Sequence, residues 1–209
     1  MNFTIVKPED FEYKEPEKNA RKSWSVYLRH KGKPVAFNLP KLRVPFGISR
    51  WDDTKETWNM ELSCPPEVVT FFDRFDKANI DNITSFKEIV FRKSKTPEDV
   101  ASEYRRMTQQ PNDKFQPNLR VKVGPSTEIE IIKDGKRSRK SGKLEDITKG
   151  CTVQTHVQCV GTYFNSGGWG VTLVCKAMRL FPKENLSPFV DDIPFESDEE
   201  AGGEEKVNF

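Results

Sequence analysis

The sequence predicts a mostly β domain with a helical insert, followed by an acidic C-terminal tail. Three observations lead there. Apolar and polar residues alternate in short segments separated by Gly, Pro and Asn, the period of half-buried antiparallel strands. Between residues 65 and 108 the apolar spacing lengthens to that of helices. Charge is also segregated: residues 191–209 hold eight acids and one base, net −7, while the rest of the 209-residue chain holds 33 bases and 24 acids, net +9. The overall +2 thus hides a basic body joined to an acidic arm. A basic body attracts polyanions, and a tethered polyanion competes for the same surface. The expected organisation is a leader over 1–21, a domain over 22–186 with its helical insert at 65–108, and a tail over 187–209.

The leader is polar, with a short edge strand expected at 3–6. From Trp24 to His30 the chain alternates, sending Trp24, Val26 and Leu28 inward and Ser25, Tyr27 and Arg29 outward. Gly32-Lys33-Pro34 reads as a turn. Strands at 35–37 and 42–48 are separated by Pro40, with Leu42, Val44, Phe46 and Ile48 facing in. Arg50-Trp51-Asp52-Asp53 reads as a loop. A strand at 57–63 turns Trp58, Met60 and Leu62 inward.

The helical stretch opens with Ser63 as N-cap and Pro65 or Pro66 in the first turn. Val68, Phe71, Phe72 and Phe75 then form one apolar stripe. A second helix is expected at 84–92, packing Phe86, Ile89 and Val90. A third begins at Thr96-Pro-Glu-Asp99, a capping box with Asp for Glu, and carries Val100, Tyr104 and Met107. Strands resume at 119–123 and 128–133, the latter ending in the turn Asp134-Gly135. Segment 133–149 holds seven bases and three acids and reads as a mobile basic loop. Two long strands, 151–164 and 169–181, are joined by the hairpin tip Asn165-Ser-Gly-Gly168. Pro182 and Pro188 mark the exit to the tail. Strands, helical insert and strands in that order fit a small closed barrel. The OB-fold, a five-stranded antiparallel Greek-key barrel, is one such barrel; the pattern equally permits a sandwich.

Enzymatic chemistry finds little support. There is no phosphate-binding Gly loop, no Gly-x-Ser-x-Gly and no zinc spacing. Two histidines leave little for acid–base catalysis, and Asp52 and Asp53 read as a solvated turn. Cys64, Cys151, Cys159 and Cys175 include no Cys-x-x-Cys pair, and strand alternation turns His156 away from Cys151 and Cys159. No cofactor and no metal are expected. No apolar run reaches the ~18 residues of a membrane span, and the N-terminus lacks a signal-peptide pattern. The expected setting is intracellular.

Single-stranded nucleic-acid binding fits better, because it needs a cationic groove for phosphates and aromatic faces for bases. Arg29, Lys41, Arg43, Arg120, Lys122 and Lys176 occupy outward strand positions, with Arg50 beside them in its loop. Lys136, Arg137, Arg139, Lys140 and Lys143 form a segment expected to close over the strand. Tyr27 and Trp51 are the expected stacking rings, with one of Tyr163, Phe164 and Trp169 reaching the ligand from the hairpin tip and the others capping the barrel. Duplex readout is not supported, since no helix presents an Arg/Asn recognition face. The alternatives are a non-enzymatic protein-interaction adaptor, a barrel whose acidic tail mimics nucleic acid, and a single-stranded RNA binder.

Three stretches carry a family resemblance: Phe71-Phe-Asp-Arg-Phe-Asp76, Phe115-Gln-Pro-Asn-Leu-Arg-Val-Lys-Val123, and Gly161-Thr-Tyr-Phe-Asn-Ser-Gly-Gly-Trp-Gly-Val-Thr-Leu-Val-Cys-Lys176. With the acidic tail ending in Phe209, the chain resembles the podovirus-type single-stranded DNA-binding protein family. It is most similar there to the relatives in large eukaryotic (nucleocytoplasmic) DNA viruses. The resemblance implies an OB barrel, sequence-independent binding of single-stranded DNA in replication, repair and recombination, and a homodimer. It also implies tail contacts with replication proteins (polymerase, helicase or primase), made here by Asp198, Glu199, Glu200, Glu204, Glu205 and Phe209. If viral, the protein would work in the host nucleus or at a cytoplasmic replication site.

Overall fold

The computed structural model describes residues 2–20, 22–50, 54–91, 94–110, 112–133 and 135–183, with only the backbone of 139 and 140. Trp51, Arg92, Lys93 and every tail residue named above lie outside them. Five short strands come first: β1 Glu12–Tyr13, β2 Glu17–Lys18, β3 Trp24–Ser25, β4 Leu28–His30 and β5 Lys33–Pro34. Next are β6 Ala36–Arg43, β7 Ile48–Arg50 and β8 Trp58–Ser63, then the helices α1 Pro66–Ser85, α2 Lys87–Val90 and α3 Pro97–Ser102. The remaining strands are β9 Thr108–Gln109, β10 Asn118–Val123, β11 Glu128–Lys133, β12 Lys136–Ser141, β13 Thr152–Asn165 and β14 Gly168–Phe181. The chain is mostly β with a helical insert.

Five strands close on themselves. β6 pairs antiparallel with both β13 and β8, β8 with β10, and β13 with β14. A parallel pairing of β10 with β14, at Lys122 opposite Val174, completes the ring. The far half of β14 instead pairs with β11, from Glu128 opposite Ala177 to Ile131 opposite Leu180. β12 then pairs with β11. The middle of the segment expected as a mobile basic loop, Lys136–Ser141, is therefore a strand. Its charge is offset across the ladder, where Arg137 Nε lies 2.6 Å from Glu130 Oε1.

The core is built on phenylalanine. Phe37 of β6 sits beneath α1, its ring centroid 5.1 Å from Phe71 and 6.1 Å from Phe72. The leader joins this cluster: Phe3 meets Phe71 at 5.6 Å and Phe11 meets Phe75 at 4.9 Å, both edge-on. Phe3, Val6 and Phe11 are buried, so the leader is an integral layer of the core. Its residues 3–5 form a 3-10 turn in place of the expected edge strand, with Thr4 N–H donating to Asn2 Oδ1. A second cluster gathers Val26, Ile83, Val90, Val100, Tyr104 and Trp169.

Several local expectations fail for identifiable reasons. Pro40 does not break the strand; β6 runs through it because the register with β13 shifts between Gln154 and His156, and a bulge tolerates a residue without N–H. Phe46 is 64% exposed because a turn at 45–47 interrupts the alternation between Val44 and Ile48. Arg50 ends strand β7 and lies 4.8 Å over the Trp58 ring. Ser63 is held in the sheet opposite Asn118, so α1 starts at Pro66 without a side-chain cap. Ile89 is 49% exposed because α2 is a single turn and presents only Val90 inward. Trp24 is half-buried, with Lys18 Nζ 5.2 Å from its ring.

The edge-on Phe11–Phe75 contact leads to the first test. Phe11→Ala is expected to lower the unfolding free energy by roughly 3 kcal/mol in urea titration; a leader outside the core would leave it unchanged.

Candidate nucleic-acid interface

A groove of about 580 Å³ runs over the outward faces of β8, β10 and the first half of β14. Alternation explains its floor. Leu119, Val121 and Val123 of β10 enter the core, which turns Asn118, Arg120 and Lys122 outward. On β8, Met60 and Leu62 enter the core and Asn59 and Glu61 face the groove. Lys55 and Thr57, from the connection between β7 and β8, line one side. Tyr163 and Asn165 line it from the end of β13. Arg105, Arg106 and Met107, which follow α3, form a further wall with Gln109 and Gln110.

Among the described lining residues, five are cationic (Lys55, Arg105, Arg106, Arg120, Lys122) and one is acidic (Glu61). Glu61 accepts from Arg120 Nη2 at 2.8 Å and from Asn118 Nδ2 at 3.3 Å, so it holds the arginine against the floor. The net lining charge of +4 suits a phosphodiester backbone. Val171 and Leu173 add apolar floor, and half-buried Tyr163 adds a ring.

The wall is anchored on two sides. On one, it is stapled to the tip of the β13–β14 hairpin. Arg105 N–H donates to Trp169 O at 2.8 Å, Trp169 N–H donates to Glu103 O at 3.1 Å, and Arg105 Nη2 donates to Gly167 O at 2.8 Å. Gly168 is required there: its φ is +118°, and a Cβ would lie 2.4 Å from Glu103 O. At Gly170 a Cβ would lie 2.9 Å from the Tyr163 hydroxyl, so the glycine leaves room for that ring.

On the other side the wall meets α1 through a buried carboxylate. Asp76 is 3% exposed. Its Oδ1 accepts from Tyr104 Oη at 2.7 Å, its Oδ2 accepts from Met107 N–H at 3.3 Å, and Arg106 Nε lies 3.7 Å away. Asn79 continues the chain, donating to Tyr104 Oη at 3.2 Å and accepting from Tyr13 Oη at 2.8 Å. Burial pushes the Asp76 carboxyl up to about 6 despite the hydrogen bonds from Tyr104 and Met107 and the nearby guanidinium. Burial likewise raises the Tyr104 hydroxyl well above its usual range.

Of the residues expected from sequence, Arg120, Lys122 and Tyr163 line this groove. Trp169 does not serve as a stacking face: it is fully buried, its Nε1 donates to Val100 O at 2.7 Å, and it braces the wall from behind. Tyr27 is half-buried beside Gly161, and Arg29 lies on the small β1–β4–β5 sheet. Lys41 covers the Phe181 ring at 3.9 Å, and Arg43 lies two residues further along β6. Lys136, Arg137, Arg139 and Lys140 are carried by β12 on the far half of β14, Lys143 follows that strand, and Lys176 lies beyond the groove segment of β14. Arg137 and Arg179 share Glu130 in a separate concavity there. Sequence reading missed Lys55, which sits on a connection without periodicity, and Arg105 and Arg106, because the helix expected to run through Tyr104 and Met107 ends at Ser102.

The four cysteines are buried and unpaired, and burial pushes the thiols of Cys64, Cys159 and Cys175 up to about 12. They are inert packing residues. Among the described residues no cluster of His, Cys, Asp and Glu is arranged to hold a metal ion.

No family model and no curated relative matches the chain. Solved structures do resemble it. One is gp2.5, a single-stranded DNA-binding protein encoded by bacteriophage T7, at 14% identity and TM-score 0.48, covering 83% of this chain and 100% of that one. Another is the single-stranded DNA-binding protein of bacteriophage Enc34 in complex with ssDNA, at 11% identity and TM-score 0.46, covering 79% and 93%. A further structure of the Enc34 protein aligns at 10% identity and TM-score 0.47, covering 87% and 98%.

Asp76 gives a pH signature. A carboxyl whose folded pKa lies above its unfolded value takes up its proton first in the folded state. Its ionisation therefore costs stability above about pH 6, and the cost disappears as pH falls through 6 toward 4. In Asp76→Asn that contribution is absent. The stability difference between variant and wild type, measured by thermal unfolding, is expected to shift in the variant's favour from pH 5 to pH 7.5. A difference constant with pH would contradict the assignment.

Proposed function

We propose that this chain is a non-enzymatic, sequence-independent single-stranded DNA-binding protein of DNA replication, and that the groove over β8 and β10 holds the strand. One observation carries the reading: where the groove sits in the strand ring. The ring order β6–β8–β10–β14–β13, parallel only at β10–β14, supports an OB-fold assignment. In OB-folds, oligonucleotides bind on the face of the second and third strands, between the loops joining strands one to two and four to five. Here those elements are β8 and β10, the connection carrying Lys55 and Thr57, and the β13–β14 hairpin with Tyr163 and Asn165. The cationic, partly apolar lining lies in that place and nowhere depends on base-edge readout.

The acidic segment 191–209 supports two further assignments. It competes with DNA for the cationic groove, and it recruits replication proteins through Asp198, Glu199, Glu200, Glu204, Glu205 and Phe209. Residues 161–176 support kinship with the proteins of large eukaryotic DNA viruses, and with it a homodimer.

Fluorescence anisotropy with labelled oligo-dT over a salt series tests the groove. Each phosphate neutralised contributes about −0.7 to the log–log slope on single strands. Lys122→Ala and Arg120→Ala are each expected to weaken binding and to flatten the slope by roughly that amount. Wild-type protein that leaves oligo-dT unbound at low salt would contradict the proposal. Preferred binding of a matched oligo-rU in competition would reassign the ligand to RNA.

A further inference from the structure

The lining of the groove holds cations and hydrogen-bonding groups, but Tyr163 is its one described aromatic residue. A second ring is carried by the loop that connects two parts of this lining. Phe115 lies in the loop that joins β9 to β10, between the groove residues Gln109 and Gln110 on one side and Asn118 on the other. It is 63% exposed, and among the described residues no other ring packs on it.

Residues 112–117 of that loop are tied by hydrogen bonds. Lys114 N–H donates to Asn112 Oδ1 at 2.9 Å, and Phe115 N–H donates to Asn112 O at 3.2 Å. Gln110 Nε2 reaches across the loop to Asn112 O at 3.3 Å and Phe115 O at 3.4 Å. At its far end, Cys64 N–H donates to Pro117 O at 2.8 Å, tying the loop to the start of the helical insert. The backbone that carries the exposed ring is thus tied to Gln110, a residue of the groove lining. Exposing a phenyl ring is unfavourable, and fixing it in place removes the ordering cost of a later contact. A fixed flat ring beside a phosphate-binding trough is the chemistry that stacks an unpaired base.

We propose that Phe115 is a base-stacking residue at the β9–β10 end of the groove, opposite in chain position to Tyr163 at the β13–β14 end. This rests on the strand-binding reading above and adds base contacts to it. A strand lying along the groove runs its phosphates over Arg120 and Lys122 and places a base on Phe115.

The test uses the full chain, oligo-dT and two substitutions. Phe115→Ala is expected to lower oligo-dT affinity about 5- to 100-fold at fixed salt. Because the ring carries no charge, the salt slope should stay that of the wild type. The melting temperature should also be unchanged, since the side chain is mostly in water. Phe115→Trp is expected to restore affinity and to add fluorescence quenching on oligo-dT beyond that of the wild type. Wild-type protein that binds oligo-dT while Phe115→Ala binds equally well overturns this proposal and leaves the groove reading standing. Wild-type protein that fails to bind overturns both.

Discussion

A buried carboxylate ties the wall of the groove to helix α1. Asp76 projects from the helical insert, and its oxygens face Tyr104, the Met107 N–H and the Arg106 guanidinium, all on the segment that walls the groove. Leaving a carboxylate in the interior is expensive unless its lone pairs are met. Here they are met by groups that would otherwise be unanchored, because α3 ends at Ser102 and β9 does not begin until Thr108. Breaking that network by removing one partner leaves another stranded, so the linker has one well-defined path. The path also brings Tyr104 against Trp169, at a ring separation of 4.5 Å, and so joins the linker to the last hairpin.

The floor and the wall have different origins and meet only in three dimensions. The floor follows from ring closure: once β10 lies beside β14, its outward residues share a surface with Val171 and Leu173. The wall follows from the insert. Cations of both are partly compensated, Arg106 of the wall by Asp73 at 2.5 Å and Arg120 of the floor by Glu61 at 2.8 Å. Such exposed pairs contribute little to stability. Their effect is to hold long side chains in place.

Much of the β framework was legible because its strands are half-buried and alternate cleanly. Residues 118–123, 128–133 and the two long strands needed no tertiary information, and the Phe71–Phe72–Phe75 stripe declared α1. The errors share a cause, which is that a partner distant in sequence decides the outcome. Pro40 survives within β6 because β13 shifts register opposite it. Phe3 and Phe11 look like scattered residues in a polar leader until α1 supplies rings to meet them. Trp169 looks like a surface ring at a hairpin tip until Val100 and Tyr104 enclose it. Within the site, Arg120 and Lys122 were readable from strand parity, whereas Lys55 was not, because no period marks a residue on a connection, and Arg105 and Arg106 were hidden by an apparent helical stripe at Val100, Tyr104 and Met107 that outruns α3. Phe115 was readable only as a sequence likeness; its exposure is a property of the folded loop.

The central claim is that unpaired strands lie across β8 and β10. Amide hydrogen exchange on the full-length protein, with and without saturating oligo-dT, measures it most directly. The account predicts added protection over 105–110, 118–123 and 163–173, with little change on β6 and β12. Protection confined to the β11–β12 side, around Arg137 and Arg179, with none over β10, would contradict it.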